Sequence, residues 1–294
     1  MEHNIQPYRS VLYMPGSRPR ALEKARNLPA DALILDLEDA VAPAEKERAR
    51  DLVAEAVESG GYGLRRLLIR VNGLDTRWGE ADIARAAKAG PHAILVPKVE
   101  QPEDVHRVVE LMKAAGAPEQ TRIWAMMETP RAMLNAGVVA TAHPLLEGFV
   151  IGTNDLVKDL GAAHVPDRAP LLTSLSLCLL AARAAGLVCV DGVHNAFQDR
   201  EGLRAACLQG RDMGMDGKSL IHPDQIAITN EVFAPSPGDL ELASAQVEAF
   251  EEAEARGEGV AVLNGRIVEN LHVVSARRLL ARAAAIAAMS EPAA

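Results

Sequence analysis

The chain has 294 residues, of which 49% are hydrophobic, 24% charged and only 3% aromatic. That balance describes a globular chain able to bury a large aliphatic core, and it excludes collagen, coiled coil and wholesale disorder as overall descriptions. With 40 acids against 31 bases and a net charge of −9, a nucleic-acid or anionic-membrane surface is not expected.

Taken in chain order, short apolar runs alternate with longer helical patterns. The runs are SVLYMP from Ser10, ALILD from Ala32, RLLIRV from Arg66, HAILVP from His92, RIWAMME from Arg122, GFVIG from Gly148, LVCVD from Leu187 and KSLIH from Lys218. Several are apolar almost throughout, as strands buried on both faces of a parallel sheet must be. Between them, segments such as residues 43–59 and 101–115 are rich in Ala, Glu, Arg and Lys. Pro43 and Pro102 stand at first-turn positions, and Gly60, Gly90, Gly116 and Gly186 stand near helix ends. Eight strand–helix units in about 230 residues predict an α/β fold, a (β/α)8 TIM barrel, over residues 1–233. The competing doubly wound open sheet would lack its usual ligand motifs, since neither Gly-x-Gly-x-x-Gly nor a Walker A loop is present.

Residues 234–294 are predicted to form a C-terminal helical extension. APSPGDL from Ala234 is a linker, a helix runs from 239 to about 256, ARGEGVAVLNGR is read as a Gly-bearing loop, and a last helix covers about 272–289. Such an appendage either covers a site or mediates assembly. The cysteines Cys178, Cys189 and Cys207 lie in apolar stretches without metal or redox spacing. MEHNIQPYRS is no signal peptide, and the apolar residues 175–190 are too short and interrupted to span a bilayer. A cytoplasmic protein is expected.

A barrel places its chemistry at the carboxyl ends of its strands. Six of the eight strands end in charged groups there: Asp36, Glu38 and Asp39; Arg70 with Asn72; Lys98; Glu128; Asp155; and Asp191. Charges directly after apolar strands are costly unless they pair or bind something. Glu128 and Asp155, two hard carboxylates without His or Cys beside them, suit Mg²⁺; the alternative pairs them with Arg70 or Arg131. The forked guanidinium of Arg70 can hold a substrate carboxylate, or can pair with Asp36 or Glu38. The turn Gly152 to Leu156 can present backbone N–H groups to an anionic oxygen. His222 is read as a structural histidine. One basic cluster, Arg9, Arg18, Arg20, Lys24 and Arg26, with Glu23 as its only acid, suits a small polyanion.

The same strand ends carry a resemblance. RSVLYMPGSRPR, LILDLEDAV, LLIRVNGLDT, ILVPKVE, MMETPRAMLNA, IGTNDLVKDLG and GKSLIHPDQI occur in the order found in the citrate lyase beta-subunit-like branch of the HpcH/HpaI aldolase family. That branch includes malyl-CoA and citramalyl-CoA lyases. The resemblance implies a (β/α)8 barrel assembled as a homotrimer or a higher trimer-based oligomer. It implies Mg²⁺ on Glu128 and Asp155, with Glu38 and Asp39 near the water ligands. Arg70 would grip a 2-oxo acid, helped by the turn at Gly152, Asp155 and Leu156. Arg18 and Lys24 would meet the coenzyme A phosphates. Family members carry a tail aspartate, in Gly-x-Met-Ile-Asp-x-Pro, that reaches a neighbouring subunit's active site. Here the stretch is Gly265-Arg266-Ile267-Val268-Glu269-Asn270-Leu271, with Glu269 in place of aspartate and no proline.

The expected activity is therefore that of a Mg²⁺-dependent lyase cleaving a malyl-CoA or citramalyl-CoA type thioester to acetyl-CoA and a 2-oxo acid, or running in reverse. A thioesterase step after condensation stays open. The alternatives are a citrate lyase beta subunit acting on a carrier-protein thioester, an aldolase for free hydroxy-oxo acids, and a non-catalytic CoA-ester-binding protein.

Overall fold

The structure, a computed structural model, describes residues 6–290. Eight strands, β1 (Ser10–Pro15), β2 (Ala32–Asp36), β3 (Arg66–Arg70), β4 (Ala93–Val96), β5 (Arg122–Met127), β6 (Leu146–Ile151), β7 (Val188–Asp191) and β8 (Gly217–Leu220), form one all-parallel sheet in sequence order. It closes because β1 pairs with β8, Ser10 opposite Lys218 and Leu12 opposite Leu220. This closure removes the open-sheet alternative. The expected TIM barrel is present.

Side chains alternate across each strand. Val11, Ile34, Leu68, Leu95, Trp124, Met126, Val150 and Val190 fill the barrel interior. Their neighbours Leu12, Leu33, Ile69, Ile94, Ile123, Phe149 and Cys189 pack outward in a second core beneath the helices. Both faces are dry, which is why the runs read as apolar rather than alternating. The helix Pro102–Ala115 starts on a Gln101–Asp104 capping box and ends at a left-handed Gly116. The predicted helix at 43–59 divides: Pro43–Glu45 is a 3₁₀ turn and the α-helix proper is Lys46–Ser59.

Asp191, at the end of β7, has the opposite parity to Val190 and lies outside the barrel. It accepts from Lys218 Nζ at 2.7 Å and twice from Arg168 Nη1 at 2.8 Å. Burial acts to raise the Asp191 carboxyl, but Lys218 and Arg168 outweigh it and hold the group below the usual carboxylate range. A depressed carboxyl contributes stability above its unfolded pKa of about 4 and loses it as pH falls through the folded value. Urea midpoints measured at pH 6, 4 and 3 should therefore drop at the acid end, and the D191N/K218M double variant should show a smaller acid-dependent drop.

Contacts divide the chain into two compact units: residues 8–233, and residues 234–290 together with Gln6 and Pro7. In the second unit, helices Pro237–Ala255 and Asn270–Ser290 flank an antiparallel pair, β9 (Ala261–Leu263) and β10 (Arg266–Val268). Phe250, Ala253, Ala261, Val268 and Val273 form its core. The segment read as a loop is thus a hairpin. Asn264 and Gly265 turn it with φ of 50° and 73°, the two positive values that an Asn-Gly turn between strands requires. Among the described residues, no helix is long and apolar enough to cross a membrane.

Candidate active site

At the carboxyl end of the barrel, Asp36 and Arg70 are register partners on β2 and β3. Asp36 takes the fork of Arg70 bidentately, Nε at 2.7 Å and Nη2 at 2.6 Å. The same carboxylate accepts the backbone N–H of Glu38 at 2.9 Å and of Ala40 at 3.0 Å, which shapes the turn that follows β2. Arg70 Nη1 meets Glu38 at 3.0 Å and Asp39 at 3.1 Å, and the guanidinium lies 4.8 Å from the centre of the Tyr13 ring. The fork expected to grip substrate is therefore occupied by Asp36. Only the Nη1 edge remains, shared with Glu38 and with Asp39, whose side chain is 72% exposed.

Glu128, directly after β5, is 2% exposed. Its Oε1 accepts the backbone N–H of Lys98 at 2.8 Å. Lys98 holds a left-handed conformation, φ 52°, that is strained for a non-glycine residue and aims this N–H. Glu128 Oε2 faces Gly152. A Cβ there would fall 2.5 Å from Oε2, so glycine is required for the close approach. Asp155, half-buried, stands in the first turn of the helix Thr153–Leu160.

The amides of Gly152 and Leu156, expected to hold substrate, are taken up by the fold, donating to Met127 O at 3.0 Å and Gly152 O at 3.2 Å. The N–H groups of Thr153, Asn154 and Asp155 are the ones without an acceptor inside their own helix. Gly152→Ala is expected to cost about 1–3 kcal/mol and about 100-fold in turnover, through displacement of Glu128. Gly137→Ala, where nothing lies within 4 Å, is the control for thermal melts and kinetics.

Electrostatically the site is over-supplied with acid. Burial first, then Asp39, Glu128 and Asp36, push the Glu38 carboxyl up to about 8 against the pull of Arg70. Burial first, and Asp155 among its neighbours, raise Glu128 to about 7, although the Lys98 N–H and Arg70 oppose this. Burial works against the Lys98 ammonium, but Glu38, Glu128, Asp155 and Asp75 outweigh it and raise the group. Arg70 is engaged with Asp36, and Arg131 lies 3.6 Å from Glu100. Among the described residues no basic side chain forms an ion pair with Glu128 or Asp155, so the ion-pair alternative for these two is not realised. Two unpaired oxygen donors in an acidic pocket fit a hard divalent cation. No group of three or more His, Cys, Asp or Glu able to hold a metal occurs among the described residues. A cation held here would take two protein carboxylates and leave its other positions to water and substrate oxygens.

The basic cluster does not survive folding intact. Arg9 precedes β1, at the opposite end of the barrel, and is buried against Asp31 by bonds of 2.9 and 2.7 Å. Arg26 is held by Glu23 at 3.3 Å and by Ser59 at 3.0 Å. Arg18, Arg20 and Lys24 remain exposed around the short helix Pro19–Ala25. His222 caps a 3₁₀ turn through Asp224 N at 3.2 Å and stacks on Phe197 at 4.6 Å, in keeping with a structural role. Glu269 lies in the other unit, exposed, where its N–H donates to His272 Nδ1 at 3.0 Å. Sequence reasoning passed over Tyr13 and Lys46. Tyr13 shares the inward parity of β1, and Lys46 is a cation in a helix first turn, where the helix dipole disfavours one.

The model of the HpcH/HpaI aldolase/citrate lyase family matches residues 9–223, the whole barrel unit less its edges. The chain is a member of this family. It is an enzyme, as its relatives are. It is 58% identical over 288 residues to a (3S)-malyl-CoA thioesterase of Cereibacter sphaeroides (strain KD131 / KCTC 12085), covering 98% of this chain and 99% of that one. A citrate lyase subunit beta of Leuconostoc mesenteroides subsp. cremoris is 36% identical, covering 95% and 94%. Among solved structures, protein CitE from Mycobacterium tuberculosis, in complex with magnesium, acetoacetate and coenzyme A, is 30% identical with a TM-score of 0.74, covering 96% of this chain and 99% of that one.

Proposed function

We propose that this family member is a magnesium-dependent enzyme that hydrolyses a malyl-CoA-type thioester to malate and coenzyme A. The observation that carries the reading is the 58% identity, end to end, with a (3S)-malyl-CoA thioesterase. The magnesium and coenzyme A in the solved CitE structure, and the acid-rich strand ends of this chain, support it.

Glu128 and Asp155 would hold the ion. Bound there, magnesium supplies a Lewis acid that draws developing negative charge from substrate oxygens. Lys98 N–H fixes Glu128 Oε1 and leaves Oε2 free, so one oxygen positions the side chain and the other serves as donor. Arg70 Nη1 can exchange the exposed Asp39 for a substrate carboxylate without giving up Asp36. The first-turn N–H groups of Thr153 to Asp155 add donors to an anionic oxygen. Arg18 and Lys24, exposed and in no ion pair with another described residue, would meet the coenzyme A phosphates.

A second reading is carbon–carbon cleavage to acetyl-CoA and glyoxylate. The citrate lyase relatives favour it, and so does the geometry: paired carboxylates beside an arginine suit the hydroxyl and carboxylate of a hydroxy acid. In that reaction Glu269, brought by a neighbouring copy in a trimer or trimer-based assembly, is the group that exchanges a proton with the acetyl carbon. Sedimentation velocity should then show a trimer or a multiple of one; a monomer overturns the arrangement.

One assay separates the reactions. Malyl-CoA is incubated with the protein in Mg²⁺ and in chelator, and products are identified by mass spectrometry. Malate with free coenzyme A marks hydrolysis, and acetyl-CoA with glyoxylate marks cleavage. Turnover undiminished in chelator overturns the metal site. No turnover overturns both readings.

A further inference from the structure

Behind the turn that carries Glu38 and Asp39 lies a buried lysine with no part in the site as described. Lys46, the first residue of the helix Lys46–Ser59, is 7% exposed. Its three N–H donors are all engaged, with Leu37 O at 3.0 Å, Glu38 O at 2.8 Å and Asn72 Oδ1 at 2.7 Å. The ammonium also sits 5.3 Å from the centre of the Trp78 ring. Each of these acceptors is neutral, and among the described residues no carboxylate is within ion-pair distance of the ammonium.

A buried cation without a direct counter-ion is an expensive way to hold two carbonyls. The surroundings offset part of that cost. Burial is the larger effect and holds the ammonium below its ordinary range, while Asp36, Glu38, Asp82 and Asp39 act through space to favour its charge. Asn72 locks the arrangement from the far side, donating to Leu37 O at 2.9 Å and to Asp82 Oδ2 at 2.6 Å, while Arg50 holds the other oxygen of Asp82 at 2.6 Å. The turn is thereby gripped on both faces. Asp36 binds its N–H groups from the barrel side, and Lys46 binds its carbonyls from the helix side.

We propose that Lys46 is a positioning residue, which clamps the carbonyls of Leu37 and Glu38 so that the Glu38 and Asp39 carboxylates are presented to Arg70 and to the ion held by Glu128 and Asp155. The part concerning the ion rests on the function proposed above; the clamp itself does not.

Three measurements on Lys46→Met and Lys46→Arg test it: hydrogen–deuterium exchange of residues 36–41, calorimetric titration with Mg²⁺ alone, and kcat and KM with malyl-CoA. Lys46→Met should exchange faster at the Glu38 and Ala40 amides while the rest of the barrel keeps its protection. Its Mg²⁺ affinity should fall by about 10–100-fold, as loss of a residue supporting a metal site does. kcat should fall more than KM changes, and Lys46→Arg should restore part of each loss. Unchanged exchange in residues 36–41 overturns the clamp. Faster exchange with Mg²⁺ affinity and kcat within about twofold of the native enzyme overturns the link to the ion. If the native protein neither binds Mg²⁺ nor turns over malyl-CoA, the proposed function falls, and exchange still decides the clamp. Should Lys46→Met fail to fold, Lys46→Gln, neutral but still a donor, carries the same measurements.

Discussion

Glu128→Gln is expected to lower turnover by about a thousandfold while the protein stays folded. The amide has the volume of the carboxylate and still accepts the Lys98 N–H, which among the described residues is the hydrogen bond this side chain makes. What disappears is the anionic oxygen beside Gly152. A metal site contributes several kcal/mol of charge stabilisation, and about 4 kcal/mol corresponds to three powers of ten. Thermal stability without metal should hold or rise, since a buried carboxylate is exchanged for a neutral group of the same shape. Kinetics over a range of Mg²⁺ concentrations, beside a circular-dichroism melt, checks both halves. A variant within about tenfold of native turnover would place the chemistry elsewhere.

Arg70→Met should be the most damaging change to stability. Among the described residues Arg70 is the one cation in ion-pair contact with Asp36, Glu38 and Asp39, and Asp36 is 1% exposed. Its removal leaves buried negative charge without a partner, a loss of about 3–5 kcal/mol, or about 10 °C in melting temperature. The pH dependence distinguishes this cause from lost packing. Carboxyls stripped of their cation take folded pKa values above their unfolded ones, so they destabilise at high pH and cease to do so as they protonate. The deficit should therefore be larger at pH 8 than at pH 5.5. An equal deficit at both pH values would mean that packing, not charge, was lost. Adding Asp36→Asn should recover part of the stability at pH 8.

Strand number and order were legible because both faces of each strand are buried, and that leaves a run of apolar residues whatever the neighbours are. The charged residues at strand ends were legible for a related reason. A barrel strand that ends in Asp36, Arg70 or Glu128 interrupts its own pattern at a place where charge is costly. The tail hairpin was missed although Asn264-Gly265 marks it, because strands of three residues are too short to show alternation.

Which charges meet which was a different matter. Asp36 and Arg70 are 34 residues apart in the chain, and only the register of β2 against β3 makes them partners. That pairing gives the arginine fork to Asp36. Arg9 looked like part of a basic patch from its nearness in sequence to Arg18, yet the length of β1 carries them to opposite ends of the barrel. Lys46 shows the point most fully: its acceptors come from the β2 turn and the end of β3, and the chain has no local pattern that joins them. Residue types at strand ends follow from hydrophobic periodicity, which is local. Partners, burial and the state of each charge depend on distances between segments remote in the chain, and these are set only when the barrel closes.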